Sequence, residues 1–289
     1  MKKYILDLTI TENIHLTDRY VLLKATNADG ALPEMAPGQF AELRVDNSSS
    51  TFLRRPISIN NVDREKNEVW FLVQVVGDGT AHLASLQQGD VLNTVLPLGN
   101  SFSTPFDKAE RLLLVGGGVG TAPMLYLGRH LKENGYNPTF LLGARSNADL
   151  LELDLFKQYG EVLITTNDGS AGEAGFVTQH SILNEVKFDR IYCCGPKPMM
   201  QAVAHYAKTQ NIHCEVSLEN MMACGVGACL CCVENTQEGH VCVCKDGPFL
   251  ILKNYYGRFK SKNRKSGFKK SSNDSIGNIW LWLRVLGFY

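Results

Sequence analysis

The sequence lacks the long apolar segments that would place it across a membrane. None of its apolar runs approaches the roughly 18 residues that a membrane-spanning helix needs, and Asp7 and Glu12 interrupt the apolar core that a signal peptide would require. Its formal net charge is zero, so the overall balance favours no anionic partner. We therefore expect a cytoplasmic protein with no membrane span and no nucleic-acid partner, whose cysteines stay reduced.

Two common binding motifs are also missing. The histidines His180, His205 and His213 show no spacing typical of a metal site, so we expect them to be surface or core residues. The glycine-rich segment 116–123 departs from the G-x-G-x-x-G dinucleotide fingerprint, because Thr121 stands where the last glycine would be. Cysteine, by contrast, is plentiful, since six of the nine in the chain lie between residues 221 and 248.

Three of these cysteines have the spacing of a plant-type [2Fe–2S] site. Cys224, Cys229 and Cys232 follow the pattern C-x4-C-x2-C, which expects a fourth thiolate further along the chain. Disulfides would need an oxidising compartment, and structural zinc more often takes two well-separated cysteine pairs. The spacing therefore predicts a [2Fe–2S] cluster rather than either alternative.

The fourth ligand is either Cys242 or Cys244. The two residues share a face of an extended strand, so periodicity does not separate them. We predict Cys244, because the turn Lys245–Pro248 would end the strand at the cluster. Cys231 and Cys242 would then be non-ligand thiols.

The first hundred residues alternate short apolar segments with turns, a pattern typical of an antiparallel β-barrel. We predict this barrel over residues 1–104. Its expected strands are Ile5–Ile10, Arg19–Ala25, Gln39–Val45, Ile57–Asn60, Val69–Val76 and Val91–Pro97.

Two elements of this barrel indicate a flavin. Arg55 would pair with a phosphate, and Ser58 with neighbouring backbone groups would hydrogen-bond the isoalloxazine. About 20 residues later, Gly77–Thr80 opens a helix-like stretch at Ala81–Leu86, whose N–H groups and dipole form an anion site. A dinucleotide flavin lying across a barrel requires both elements, so we predict FAD here.

Strands and helices alternate over residues 105–213, which predicts a parallel sheet with a nucleotide bound at its carboxyl edge. The strand Arg111–Val115 leads into a glycine turn and the helix Met124–Lys132. The later strands are expected at Pro138–Ala144, Glu161–Thr166, Arg190–Cys194 and Ile212–Leu218. The predicted nucleotide contacts are Gly116, Gly117, Gly118, Gly120 and Thr121, with Cys194, Gly195 and Pro196 beside the nicotinamide.

Residues 249–289 differ from the rest of the chain. They carry nine basic residues and one acidic residue, whereas residues 1–248 carry 20 basic and 28 acidic residues. A basic segment that ends in the apolar run Ile279–Leu286 could anchor to a membrane surface. We favour a non-native, largely disordered end that does not contribute to cofactor binding.

Four motifs, in their order along the chain, resemble the ferredoxin–NADP reductase superfamily. They are Arg55–Ser58, Gly116–Pro123, Cys194–Pro196 and the cysteine cluster. Within that superfamily they are most similar to the electron-transfer subunits of class 1B dihydroorotate dehydrogenase. The pattern Ser217–Cys232, closed by Cys244–Pro248, distinguishes that branch, and the match departs after Pro248. The resemblance implies a [2Fe–2S] module at residues 214–248, held by Cys224, Cys229, Cys232 and Cys244. It also implies FAD contacts at Arg55, Pro56, Ile57, Ser58, Leu72, Val73, Gln74, Gly79 and Thr80.

The resemblance also implies a mechanism and a partner. Hydride would pass between NAD(H) and flavin N5, with Ser58 and Cys194 as the catalytic residues, and single electrons would then pass through the cluster. The partner would be an FMN-containing catalytic subunit that oxidises dihydroorotate in pyrimidine synthesis, in an assembly with two copies of each subunit. A reductase for another redox enzyme, and a zinc-held interaction module or redox sensor, are the alternatives. The choice between NAD and NADP and the direction of flow stay open.

Overall fold

The structure is a computed structural model that describes residues 2–46, 48–236 and 239–251, with the backbone alone for 249–251. Six antiparallel strands close a barrel in the order β1-β2-β5-β4-β3-β6. Apolar side chains from every strand fill its interior. The strands are β1 (Tyr4–Thr17), β2 (Tyr20–Thr26), β3 (Phe40–Leu43), β4 (Arg55–Asp63), β5 (Glu68–Gln74) and β6 (Val91–Leu98), with helix α1 (Asp78–Ala84) between the last two.

The rest of the described chain forms a seven-stranded sheet in the order β10-β9-β8-β7-β11-β12-β15. Its pairs are parallel except for the last, in which β15 runs antiparallel to β12. The strands are β7 (Leu112–Gly117), β8 (Pro138–Ala144), β9 (Glu161–Thr166), β10 (Glu173–Ala174), β11 (Arg190–Cys194), β12 (His213–Ser217) and β15 (Phe249–Ile251). The helices are α2 (Thr121–Glu133), α3 (Leu153–Tyr159), α4 (Ile182–Glu185) and α5 (Lys197–Thr209).

Strand β7 lies at the topological switch point of this sheet. β8 and β9 follow on one side of it, while β11 and β12 lie on the other. In open α/β sheets the ligand crevice forms at the carboxyl ends of the strands on either side of such a point. The pairing of Cys194 with Gly116 brings the two loops of this crevice, after β7 and after β11, next to each other.

The cysteine-rich segment is a loop followed by a hairpin. The loop runs from about residue 220 to 232, strands β13 (Val233–Thr236) and β14 (Gly239–Cys242) pair antiparallel, and the short helix α6 (Val243–Asp246) follows. The predicted strand through Cys244 is therefore wrong, because β14 ends at Cys242 and Cys244 lies in helix α6. The chain then returns to the large sheet as β15.

The predicted fold class is confirmed: an antiparallel barrel, a parallel α/β sheet and a small cysteine-rich module. Strand β1 is longer than predicted, because the mostly polar residues 12–17 also pair with β2. Helix α2 begins at Thr121 rather than Met124, since Pro123 is tolerated in a first helical turn. None of the helices in the described ranges has the length and apolar composition needed to cross a bilayer.

Only the beginning of the basic tail falls within the described residues. The backbone of residues 249–251 forms strand β15 against β12. The predicted disorder of the tail and the apolar run at 279–286 lie outside the described residues.

Candidate functional site: a nucleotide cleft, a flavin strand and a cysteine loop

A cleft of about 610 Å³ opens at the switch point of the sheet. The glycine turn after β7, the ends of β8 and β9 and the turn after β11 line it, and the barrel closes one side. Of the predicted nucleotide contacts, Gly117, Gly118, Gly120, Gly195 and Pro196 lie on this lining. The volume is in the range typical of cofactor sites.

The two turns that line the cleft touch so closely that side chains are excluded. A Cβ atom on Gly120 would lie 2.5 Å from the carbonyl oxygen of Cys194 and 2.5 Å from the Cα of Gly195. A Cβ on Gly117 would lie 2.5 Å from Sδ of Met199. The glycine-rich sequence therefore serves the packing of one turn on the other, and the turn leads directly into helix α2.

Thr121 and Gly116 lie behind this lining. Thr121 is buried and its hydroxyl donates a hydrogen bond to the carbonyl of Gly118 at 2.9 Å, which closes the turn. A Cβ on Gly116 would lie 3.0 Å from the Thr121 methyl group. These two residues shape the glycine turn and do not line the cleft.

Cys194 is fully buried, and its neighbour Glu219 reaches the cleft. The Cys194 thiol lies 3.9 Å from Oε1 of Glu219. Burial, and then the nearby Glu219 charge, raise the pKa of this thiol well above its usual value. Glu219 lines the cleft and is open to solvent through it, while the protein around it raises the pKa of its carboxyl group. The Cys194–Glu219 pair thus places a carboxyl group, not a bare thiol, at the cleft.

Sequence reasoning placed Glu219 in a family pattern but assigned it no role. It lies just after β12, and only the adjacency of β11 and β12 brings it to Cys194. Tyr20 was missed as well. Its side chain lines the cleft from the barrel side, and a Cβ on Gly118 would lie 3.6 Å from its hydroxyl.

The predicted flavin residues lie on β4 and β5 of the barrel. Residues 55–58 of β4 are half-buried, whereas residues 59–62 of the same strand are fully buried. Leu72 and Val73 bury their side chains in the core, so they offer a ligand only their backbone. Gln74 lines the nucleotide cleft, which connects β5 to the nucleotide site.

Arg55 and Gly79, two of the predicted flavin residues, lie against each other. A Cβ on Gly79 would lie 2.6 Å from Nε of Arg55, so only glycine lets the guanidinium lie against the start of α1. The hydroxyl of Thr80 accepts hydrogen bonds from the N–H groups of Val76 and Gly77 and shapes that helix start. Asp78 is turned to the hydroxyl of Ser50 at 2.7 Å. The arrangement keeps a cation at the helix start, as a phosphate group would require.

Two exposed apolar side chains are close in sequence to this helix start. Phe52 is 89% exposed and Val76 is 76% exposed. Both are sequence neighbours of residues that shape the Arg55 and Gly79 contact. A dinucleotide would supply a flat aromatic group to cover such side chains, so the donor set and the apolar surface together fit FAD.

The four predicted cluster thiols come together as two pairs. Cys224 contacts the side chain of Cys229, and Cys232 contacts that of Cys244. The N–H of Cys244 donates to Sγ of Cys232 at 3.3 Å, and the N–H of Gly227 donates to Sγ of Cys244 at 3.1 Å. Two pairs of thiols are the donor set that two irons of a [2Fe–2S] cluster require.

Backbone N–H groups of the loop converge on Cys224. Its sulfur accepts hydrogen bonds from Val226, Ala228 and Cys229 at 3.5, 3.3 and 3.4 Å. Burial alone would raise the pKa of this thiol, but these donors lower it to about 6. The loop is therefore built to hold a thiolate, which is the form that binds iron.

The remaining two cysteines of the segment make other hydrogen bonds, but Cys242 lies near the pairs, since burial and then the charge of Cys232 raise the pKa of its thiol. The N–H of Cys242 donates to Asp246 at 2.8 Å, and the thiol of Cys231 lies 3.6 Å from the carbonyl of Met221. In the part of the chain that the structure describes, no three His, Cys, Asp or Glu side chains converge on one point where a single metal ion could bind.

The barrel supports the cysteine loop directly. The N–H of Asn100 donates to the carbonyl of Gly247 at 2.7 Å, and its side chain donates to the carbonyls of Lys245 and Asp246. Gly225 has φ of +64°, and a Cβ there would lie 2.8 Å from Cγ of Glu42. The loop is thus packed against β3 and the end of β6.

Comparisons with known proteins agree with this site. Residues 219–253 match the iron–sulfur cluster binding domain of dihydroorotate dehydrogenase B, and residues 114–205 match the oxidoreductase NAD-binding domain. The first match extends five residues past Pro248, where the sequence pattern was expected to end. The match therefore includes the residues of strand β15.

Two curated relatives are named dihydroorotate dehydrogenase B (NAD(+)), electron transfer subunit. The protein of Shouchella clausii is 44% identical over 219 residues, which cover 73% of this chain and 83% of that protein. The protein of Fusobacterium nucleatum is 35% identical over 252 residues, which cover 85% of this chain and 96% of that protein.

A solved structure of an NADH-dependent reduced ferredoxin–NADP oxidoreductase superposes with a TM-score of 0.76 at 30% identity. The match covers 88% of this chain and 90% of that one. The cytochrome P450 reductase GcoB of Amycolatopsis superposes with a TM-score of 0.62 at 23% identity, which shows a shared fold alone.

Proposed function

Because the chain belongs to the family of dihydroorotate dehydrogenase B electron transfer subunits, we propose that it passes electrons between NAD and a dihydroorotate-oxidising catalytic subunit in pyrimidine biosynthesis. The observation that carries this proposal is the short chain segment that joins the nucleotide cleft to the cysteine loop. Glu219 lines the nucleotide cleft, and Cys224, five residues later, belongs to the cysteine loop. Five residues span at most about 17 Å, so hydride and single-electron chemistry meet within one segment.

Three groups supply the redox chemistry when bound: NAD exchanges hydride, FAD converts hydride into single electrons, and a [2Fe–2S] cluster carries single electrons. The residues of the chain position them. Gly117, Gly118 and Gly120 bring backbone N–H groups to the pyrophosphate of the nucleotide. The turn at Gly195 and Pro196 would hold the nicotinamide end.

We propose catalytic roles for Ser58 and Cys194. Because Cys194 is buried, its role is indirect. The buried Cys194 would act through Glu219, whose carboxyl group reaches the cleft. A carboxyl group at this place can hydrogen-bond the nicotinamide or the flavin edge. Ser58 would hydrogen-bond flavin N5 from the half-buried part of β4.

Arg55 and the start of α1 would hold the FAD pyrophosphate, with the half-buried Pro56 and Ile57 under the flavin ring. Cys224 and Cys229 would bind one iron, and Cys232 and Cys244 the other. Support comes from the two thiol pairs and from the N–H groups directed at their sulfurs. These donors would stabilise the negative charge of the cluster.

The partner is proposed to be an FMN-containing catalytic subunit, in an assembly with two copies of each. The name "electron transfer subunit" of the relatives supports a partner, and no side chain in the cleft suggests a separate dihydroorotate site. A cytoplasmic location is proposed as well, since the nine cysteines are all free and four are needed as thiolates.

The test is reconstitution with the catalytic subunit of the same cell. The purified chain should contain one FAD and two irons, NADH should reduce both, and the added subunit should make NAD reduction depend on dihydroorotate. Zinc in place of iron would contradict the cofactor assignment. A second candidate, a reductase for ferredoxin, is favoured by the likeness to the NADH-dependent ferredoxin–NADP oxidoreductase. Electron transfer to ferredoxin but none from dihydroorotate would establish it instead.

A further inference from the structure

The segment from Asp149 to Glu152 holds the nucleotide-binding sheet on the barrel. Asp149 lines the cleft and lies 4.0 Å from Arg19 of the barrel. Leu151 is buried with Tyr20 of β2 in an apolar cluster that joins the two halves. Next to it, Glu152 accepts a hydrogen bond from the side chain of Asn60 at 2.9 Å. Three residues of this short segment therefore contact the barrel beside the cleft.

Asn60 and Glu152 both occupy irregular backbone positions. In β4, Ile59 pairs with Phe71 and Asn61 with the preceding Trp70, so Asn60 is the extra residue of a β-bulge. Bulges redirect a side chain and are common beside functional sites. Glu152 has φ of +54°, in the left-handed region that glutamate seldom adopts. Each half of the molecule departs from regular geometry at the residue that makes this contact.

The pair has more acceptors than donors when Glu152 is ionised. Oδ1 of Asn60 and Oε2 of Glu152 are buried, and neither has a hydrogen-bond partner among the described residues. Asn60 is fully buried. A proton on the Glu152 carboxyl group would supply the missing donor, because a carboxylic acid and an amide can pair through two hydrogen bonds.

We propose that Asn60 and Glu152 form a carboxylic acid–amide pair that positions the nucleotide-binding sheet against the barrel, and that losing the Glu152 proton loosens this contact and slows hydride transfer. Glu152 is a positioning residue in this proposal. The second half rests on the proposed function, because it requires FAD and NAD in the cleft. The first half concerns the chain alone.

The surrounding charges leave the pair sensitive to pH near neutrality. Burial raises the pKa of Glu152 to about 7, although the Asn60 hydrogen bond and Lys24 of β2 act in the opposite direction. The Lys24 ammonium is bound to Glu12 at 2.6 Å. On α3, Asp154 and Lys157 pair with each other at 3.1 Å. On α2, Arg129 is directed to Glu133 and to Asn61, the neighbour of Asn60.

The protonated Glu152 carboxyl group stabilises the folded chain at acidic pH. The carboxyl group has a pKa of about 7 in the folded chain and 4.5 in the unfolded chain. Its contribution to stability is therefore complete below pH 4.5 and is lost as the pH rises through 7. The substitution Glu152→Gln places a second amide opposite Asn60, which can form two hydrogen bonds with it and cannot titrate.

The first experiment measures thermal unfolding of the full chain, as purified with its bound cofactors, between pH 6 and 8.5. The melting temperature of the wild type should fall by about 3 °C more than that of Glu152→Gln over this range. Glu161→Gln, which replaces an exposed carboxyl group, should behave like the wild type. Equal pH slopes for the wild type and Glu152→Gln would overturn the acid–amide pair, whether or not the chain binds FAD.

The second experiment measures flavin reduction by NADH in stopped flow, with the FAD-loaded chain. At pH 6.5, Glu152→Ala should lower the limiting rate about tenfold with little change in the NADH concentration for half-saturation. The wild-type rate should fall toward that of Glu152→Ala as the pH rises to 8.5, while that of Glu152→Gln stays level. A Glu152→Ala protein that reduces its flavin at the wild-type rate would overturn the positioning role. If the wild type bound no FAD, the proposed function would fail and the first experiment would still decide the pair.

Discussion

Replacing Gly120 by Ala tests whether the nucleotide cleft depends on the contact between its two turns. Gly120 has φ of −66°, a conformation that alanine adopts without strain, so the added methyl group acts through its volume alone. That methyl carbon would lie 2.5 Å from backbone atoms of Cys194 and Gly195. No side chain can rotate away to relieve the clash, because the atoms in contact belong to the main chain.

The cost of the Gly120→Ala substitution depends on how far the two turns must separate. Ordinary van der Waals contact begins at 3.4 Å, so the turn that carries Gly195 and Pro196 must move by about 1 Å. Overpacking of this kind costs about 1–3 kcal/mol of stability, which is about 2–4 °C in Tm per kcal/mol for a chain of this size. A displacement of about 1 Å at the reacting groups lowers the rate of hydride transfer by about 100-fold.

The assay is stopped-flow reduction of bound FAD by NADH, with iron content measured on the same samples. Gly120→Ala should lose most of its reduction rate and keep its iron, since the cysteine loop is not part of the contact. Gly30→Ala is the matched control, because the nearest atom to its Cβ is 4.0 Å away. A Gly120→Ala protein that is reduced as fast as Gly30→Ala would refute the assignment of this turn to the nicotinamide.

Three further predictions test the flavin site, the cluster and the chain end. Cys244→Ser should lose the cluster iron and Cys242→Ser should keep it, and the reverse pattern in iron analysis would show that the fourth ligand is misassigned. Arg55→Ala should weaken FAD binding about tenfold or more, through loss of a charge-assisted hydrogen bond, and leave iron content unchanged; loss of iron in the folded protein would contradict separate cofactor sites. A chain truncated after Ile251 should keep FAD, iron and NADH-dependent dye reduction, and loss of either cofactor from it would show that the tail contributes to binding. A chain truncated after Pro248 also lacks strand β15 and should have a lower Tm.

The regular elements could be predicted because their patterns are local. Alternation marks the barrel strands, and continuous apolar runs mark the buried strands such as Leu112–Gly117. The spacing of Cys224, Cys229 and Cys232 is also local, and it carries its chemistry without any knowledge of the fold. The prediction that one strand runs through both Cys242 and Cys244 is wrong, because β14 ends at Cys242 and the chain continues as helix α6.

Residues that act through tertiary contacts could not be found in this way. Glu219 has no pattern of its own and gains a role only because β11 and β12 are neighbours. Tyr20 reads as an ordinary strand residue, yet it lies on the side of the barrel that closes the cleft. Asn60 and Glu152 are 92 residues apart in sequence, and both depend on irregular backbone that no propensity indicates.

The path of the chain explains why one subunit can hold all three groups in a fixed order. Strand β12 is hydrogen-bonded to β11, whose end leads into the proposed nicotinamide turn, and also to β15, which follows the last predicted cluster ligand. The N–H of Leu218 donates to the carbonyl of Pro248 at 2.9 Å, so the cysteine loop leaves and rejoins the sheet at one place. Asn100 fastens the same point to the barrel that would carry FAD. A shift of the loop would therefore strain its contacts with both the sheet and the barrel, so the strand pairing and the Asn100 hydrogen bonds would together fix the spacing of the three proposed redox sites.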